Sequence, residues 1–234
     1  MGQKVSPFVL RLGYIKNWRS LWIADKREYQ QNVLEDYKIR KYIFTKFIQA
    51  AVSEVVIERL ANQIKLKIRT ARPGVIIGRR GADIDKLRAE LAKITPKEVS
   101  IDIVEIKRPT VEATLIAQSV AFQLEKRVAF RRAMKRAIDQ AMATGAKGIK
   151  ISSSGRLGGA EMARRETYKL GKLPLQTFRA NIDYGFAEAQ TTYGTIGIKV
   201  WVYHGDILDR NAQEEIEAHE QESNTQESGP RAKS

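Results

Sequence analysis

The sequence predicts an α+β protein of two domains, and three observations carry that prediction. Ile64-Lys65-Leu66-Lys67-Ile68-Arg69 alternates strictly between aliphatic and cation, the period of a half-buried strand. From Val111 to Ala143 there is neither Gly nor Pro, and the pattern is helical throughout. After Gly145 the chain turns to β patterning, ending with Ile196, Ile198, Val200 and Val202 on one strand face.

Residues 1–25 mix cations with Gly2, Pro7, Gly13, Trp18 and Trp22 and read as an extended N-terminal arm, whose tryptophans imply docking. A helix is expected over 26–50, with Val33, Leu34, Tyr37, Ile39, Ile43, Phe44, Phe47 and Ile48 at helical spacing. Val52 to Arg59 is β-branched and alternating, Asn62 supplies a turn, and 64–69 is the next strand. Lys65, Lys67 and Arg69 fall on its solvated face. Pro73-Gly74 breaks that strand. A short helical turn, a glycine loop, a helix over 82–93 and a strand through Val99, Ile101, Ile103 and Ile106 complete a domain over 26–108.

The loop is Gly78-Arg79-Arg80-Gly81, entered from Val75-Ile76-Ile77. Glycines let a partner approach the backbone because no Cβ intervenes. A helix starting after Gly81 directs free N–H groups and a positive dipole end at the turn. With Arg79 and Arg80 at the tip and Arg72 just upstream, the loop suits a sugar-phosphate backbone. The order helix, strand, strand, helix, loop, helix, strand, with the glycines between the short helices, resembles a type II KH domain. That resemblance implies a loop that clamps a short run of nucleotides.

The second domain is expected over 109–210, as helices packed on a mostly antiparallel sheet. Residues 126–136 hold six cations and no acid. On a continuous helix Arg127, Arg131 and Lys135 form one stripe, with Arg132 and Arg136 about 100° round from it. Phe130, Met134 and Ile138 form the opposite, apolar stripe. Uncompensated like charges at i,i+4 repel, so an external polyanion explains this face better than solvent does. Gly148 to Ser153 is a strand, 155–159 is a glycine-rich turn or bulge, and 160–174 carries Arg164, Arg165, Lys169 and Lys172 toward Pro174. Thr177–Ala189 and Thr195–His204 are further strands. Residues 211–234 are polar and rich in glutamate, and read as a disordered acidic tail.

Charge narrows the function. The chain has 41 Lys and Arg against 27 Asp and Glu. Two of those cations and six of those acids lie in 211–234, so residues 1–210 carry a net +18. A body so positive implies an anionic partner, with nucleic acid the default. No apolar run suits a membrane span. Cysteine is absent, and His204 and His219 are the only histidines, so neither a disulfide nor a multi-histidine metal site is expected. No phosphate-loop or nucleophile-elbow motif is present. Asp183 and Glu188 sit on opposite faces of a strand and make no acid pair. No catalytic residue, cofactor or small-molecule substrate is expected.

Several blocks together resemble the family of bacterial ribosomal protein three of the small subunit, over about residues 1–208. They are M-G-Q-K-V-x-P at the start, R-L-G at 11–13, T-A-R-P-G-V-I-I-G at 70–78 and F-R-R-A-M-K-R-A at 130–137. Further along come G-A-K-G-I-K at 145–150, S-G-R-L-G-G-A-E at 154–161, D-Y-G at 183–185 and T-T-Y-G-x-I-G-x-K-V-W at 191–201. Phe8-Val9-Leu10 departs from the family, which often has Gly before R-L-G. The resemblance implies a cytoplasmic, structural component of the small-subunit head. Its partners would be ribosomal RNA, neighbouring head proteins and messenger RNA at the channel where the message enters. The family's channel cations map onto Arg131, Arg132 and Lys135, and its KH loop onto Gly78–Gly81. The expected RNA-binding set is thus Arg72, Gly78, Arg79, Arg80, Gly81, Arg127, Arg131, Arg132, Lys135, Arg136, Arg164 and Arg165. A KH-bearing assembly or transcription factor, and a nucleic-acid lyase or nuclease, are the alternative classes.

Overall fold

The computed structural model describes residues 4–95 and 97–208. The chain forms two α+β units, each with a four-stranded sheet. The expected acidic tail lies outside the described residues.

The arm holds a short helix, α1 (Pro7–Leu10), and a two-residue strand, β1 (Ser20–Leu21). It is more structured than an extended segment because both units supply partners. Arg11 is fully buried. Its guanidinium donates to the carbonyls of Ala180 at 2.6 Å, Thr177 at 2.9 Å and Pro7 at 2.8 Å, so the charge is met by aligned carbonyl dipoles. β1 adds in parallel to the first unit's sheet, with Ser20 opposite Ile57.

The first unit runs α2 (Lys26–Lys46), β2 (Val52–Arg59), β3 (Gln63–Thr70), α3 (Pro73–Ile77), α4 (Ala82–Leu91) and β4 (Glu98–Glu105). β2 and β3 are antiparallel, and β3 and β4 are parallel. Ile64, Leu66 and Ile68 are fully buried against Ile39, Ile43, Ile76, Leu87 and Leu91. Ile39, Ile43 and Phe47 of the expected apolar face are buried, but the N-terminal half of α2 differs from the prediction. Val33, Leu34, Tyr37 and Ile48 are exposed, whereas Glu35 and Asp36 turn inward. Arg59 explains the difference: it pairs with Asp36 at 2.6 Å and Glu35 at 2.9 Å from beneath the helix. On the solvated face of β3, Lys67 pairs with Glu58 at 2.8 Å and Arg69 with Glu54 at 3.6 Å.

The second unit runs α5 (Ala113–Glu125), α6 (Phe130–Ala143), β5 (Gly148–Gly155), β6 (Arg164–Gly171), β7 (Ala180–Thr191) and β8 (Gly194–Asp206). The sheet order is β6-β5-β8-β7, antiparallel throughout. α5 and α6 bury Val120, Leu124, Met134 and Ile138 against Ile149, Ile151, Ile198 and Val200. Each such side chain, taken from water to a packed core, stabilises the unit by about 1.5–3 kcal/mol.

The helical pattern from Val111 to Ala143 is thus broken into two helices. Arg127 stands just past the end of α5 with φ 61°. Its N–H donates to the Leu124 carbonyl at 2.9 Å, and the Val128 N–H donates to Gln123 at 3.0 Å. That is a Schellman termination with arginine in the left-handed position where glycine is usual. The segment 160–174 contains β6, an edge strand absent from the sequence reading.

Glu112 joins the units. Its carboxylate accepts from the Ser53 hydroxyl at 3.1 Å and lies 3.7 Å from the Arg69 guanidinium. Burial pushes its pKa up, and the nearby Asp183 carboxylate pushes it further. Burial likewise lowers the pKa of His204, against the pull of Asp183.

Candidate nucleic-acid interface

The glycine loop is assembled by the turn that leaves β3. The Thr70 hydroxyl donates to the Ala50 carbonyl at 2.6 Å and accepts from the Arg72 N–H at 3.2 Å, which fixes the strand end. Arg72 precedes Pro73, which favours an extended rather than a helical backbone, and its side chain is exposed. Pro73 opens α3 at a position where its missing N–H costs nothing. α3 stops at Gly78, where φ is 71°. Any Cβ there would collide with the Asp83 carboxylate, so both the turn and the packing demand glycine. Arg79, Arg80 and Gly81 complete a 3-10 turn into α4, and Arg79 is exposed.

One expected contribution is weaker than the motif implies. Asp83 and Asp85 occupy the first turn of α4, so carboxylates already meet its positive end. What the loop offers an anion is therefore Arg79, Arg72 and the close-approach backbone more than the helix dipole. Beside the loop lies an open depression of about 390 Å³ lined by Lys46, Phe47, Gln49, Val75, Asp83 and Lys86. It sets an apolar wall next to two cations, each already paired, Lys46 with Glu90 and Lys86 with Asp83 at 3.5 Å. Sequence reading passed over Lys46, Phe47, Gln49 and Lys86, since only the folded unit brings α2's end beside the loop.

α6 forms the second basic site. Arg131, Arg132, Lys135 and Arg136 are all exposed, while Ala133, Met134, Ala137 and Ile138 are buried on the opposite side. The four cations line one surface depression of about 700 Å³, which also takes in Asp139 and Gln140. Among the described residues, none of the four has a carboxylate within 4.0 Å. Arg127 does not extend this stripe, because it belongs to the turn between the helices. Arg164 takes its place: its guanidinium lies 5.6 Å from the Phe130 ring centroid, and that of Arg131 lies 5.7 Å from the same ring. Arg165, the next residue on β6, points to the other face of the sheet. The predicted pair Arg164 and Arg165 is thus split between two surfaces.

Such a surface suits a phosphate backbone. The two units also match known families in the same order. Residues 38–111 match the KH domain model, and residues 120–202 match the model for the C-terminal domain of ribosomal protein S3. The chain is 58% identical over 208 residues to the small ribosomal subunit protein uS3 of Desulforamulus reducens, covering 89% of this chain and 94% of the relative. It is 55% identical over 216 residues to the protein of that name from Carboxydothermus hydrogenoformans, covering 92% and 97%. It is 57% identical over 215 residues to that of a Sulfurovum species, covering 92% and 93%. With a KH unit bearing an intact glycine loop, an S3-type C-terminal unit and relatives matched along nearly their whole length, the chain belongs to the uS3 family of small ribosomal subunit proteins.

Proposed function

We propose that this protein holds messenger RNA at the channel where it enters the small ribosomal subunit, with α6 as the gripping element. The broader role follows from the family. The chain is a structural, non-enzymatic constituent of the small subunit, located with the ribosome in the cytoplasm, and its partners are ribosomal RNA and ribosomal proteins. Within that role the KH loop, through Arg72, Gly78, Arg79, Arg80 and Gly81, takes the backbone of a short single-stranded RNA segment, and the head of the subunit supplies the protein neighbours.

The observation that carries the proposal is the cluster of Arg131, Arg132, Lys135 and Arg136, exposed together on one side of a helix whose other side is buried. Like charges so close destabilise an isolated helix by a few tenths of a kcal/mol per i,i+4 pair. An RNA strand removes that penalty. Phosphate contacts without base contacts let the bases slide past, and they favour separated strands over a duplex ahead of the decoding site.

Replacing Arg131, Arg132 and Lys135 with Ala removes three exposed cations and no buried side chain. The variant should assemble normally into small subunits. Its ribosomes should stall more on messages with a stable hairpin ahead of the decoding site, and little on unstructured ones. Wild-type rates on both kinds of message would refute the assignment.

A further inference from the structure

The face of the C-terminal sheet turned away from α5 and α6 carries another set of cations, arranged with aromatic rings. Burial of Ile149, Ile151, Ile198 and Val200 fixes which side chains point outward. In register across the sheet, Lys169 on β6 stands beside Lys150 on β5, Lys150 beside Trp201 on β8, and Trp201 beside Tyr184 on β7. Two residues along, Lys199 stands beside Phe186, and the row after that runs Arg165, Ser154, Gly197 and the exposed Glu188, which marks the acidic corner of the patch. With strands about 4.8 Å apart and same-face residues about 6.8 Å apart, these rows cover a patch roughly 14 Å on a side.

Three features set this face apart from an ordinary solvated sheet. First, among the described residues, none of Lys150, Arg165, Lys169 and Lys199 has a carboxylate within 4.0 Å. Of the three solvated cations on β3 of the KH sheet, Lys67 and Arg69 are paired, at 2.8 Å and 3.6 Å, and Lys65 alone is not paired among the described residues. Second, rings interleave with the cations. Phe186 is 47% exposed, the Tyr184 and Trp201 centroids are 5.5 Å apart, and Lys150 Nζ lies 5.1 Å from the Trp201 centroid. Third, the charges are dense: besides burial, Lys4 of the arm, Lys169 and Arg165 all act to lower the pKa of Lys150.

We propose that this face is a second RNA-binding surface, distinct from α6, that takes a single-stranded segment. Lys150, Arg165, Lys169 and Lys199 contact phosphates, while Phe186 and the Tyr184–Trp201 pair receive bases. Rings beside a basic track are the chemistry of sequence-tolerant single-strand binding. An acidic protein would match the cations but offer no flat bases to the rings. The inference rests on the RNA-binding role of the chain and extends it to a surface that the α6 reading does not use.

The test uses the full-length protein and a fluorescent oligouridine of about 12 nucleotides, within the site size of such platforms. A sheet variant carries Arg165→Gln, Lys169→Gln and Lys199→Gln, all at exposed positions. A ring variant carries Phe186→Ala, and the α6 variant carries Arg131→Ala, Arg132→Ala and Lys135→Ala. The sheet variant should keep its melting temperature, bind about tenfold more weakly, and flatten the log–log salt slope by about two units, at roughly 0.7 per phosphate contact. The ring variant should weaken binding about fivefold with an unchanged slope, as loss of a stacked base does. Wild-type affinity in the sheet variant with a loss in the α6 variant would overturn this proposal and leave the α6 reading standing. Wild-type affinity in both would overturn both. A ring variant that binds like wild type would overturn the stacking surface in favour of a plain polyanion or acidic-protein contact.

Discussion

Asp183 caps a helix that lies far from it in sequence. Its Oδ2 accepts the N–H of Ala113, the first residue of α5, at 2.9 Å. Two residues on, Gly185 lets the helix start lie directly on the strand, because a Cβ there would strike the Ala113 carbonyl. The D-Y-G block is thus a helix-docking device, and its acid serves structure rather than catalysis.

Removing the cap should cost what N-caps cost. Asp183→Ala should lower stability by about 1 kcal/mol, read as a drop in the urea midpoint. Gly185→Ala should cost more than the cap loss, since helix and strand must part to admit the methyl. Equal effects from the two would mean that the backbones are not in close contact.

The left-handed Arg127 carries strain that a glycine would relieve. A non-glycine residue there costs roughly 1–2 kcal/mol, offset in part by the greater chain entropy of glycine when unfolded. Arg127→Gly should therefore raise the melting temperature by a few degrees, on the order of 0.5–1 kcal/mol. A fall in melting temperature would mean that the arginine side chain itself holds the turn.

Glu112 gives the link between the units a pH dependence. Its folded pKa is raised, so the native state holds a proton that the unfolded chain releases from about pH 4.5 upward. Ionising Glu112 then lowers stability as pH rises through that window. Glu112→Gln removes this loss. Its stability relative to wild type should increase from about pH 4.5 to neutral, and taking the difference cancels the titration of His204, which both proteins share. A difference that is flat, or that shrinks with pH, would contradict the placement of Glu112.

Arg59 should be the costliest polar position in the KH unit. Its side chain is 3% exposed, and the partners Asp36 and Glu35 are 3% and 11% exposed. Arg59→Ala leaves two carboxylates under α2 without their cation and should cost about 3–5 kcal/mol. Circular dichroism in urea would show it. A loss below about 1 kcal/mol, the range of surface pairs, would mean that water already reaches the site.

Arg59 also explains where sequence reading stopped. The α2 periodicity was legible, and Ile39, Ile43 and Phe47 do face inward, but one turn earlier two buried acids stand where Val33, Leu34 and Tyr37 were expected. The break at 126–129 contains no Gly or Pro, and an arginine in a left-handed conformation gives no local signal. β6 escaped because it is an edge strand with no fully buried residue, in which Tyr168 alone packs an aromatic ring on the core, so no apolar alternation marks it. By contrast, strict alternation at 64–69 and 196–202 identified two buried strand faces. The Gly78 turn and the Met134–Ile138 stripe were equally plain. Of the candidate site, the α6 cations were legible from spacing alone. The pairing of Arg164 with Phe130 and the groove beside the KH loop depend on contacts between distant segments.

The role of α6 is tested most directly by photo-cross-linking in intact ribosomes. A message carrying thiouridine just downstream of the decoding site is irradiated, and the attached peptides of this chain are identified by mass spectrometry. Cross-links should fall within Phe130–Gln140, and Arg131→Ala with Arg132→Ala and Lys135→Ala should reduce their yield without reducing the amount of this protein in the subunit. Cross-links confined to other segments, or a yield unchanged by the three substitutions, would show that α6 does not hold the incoming message.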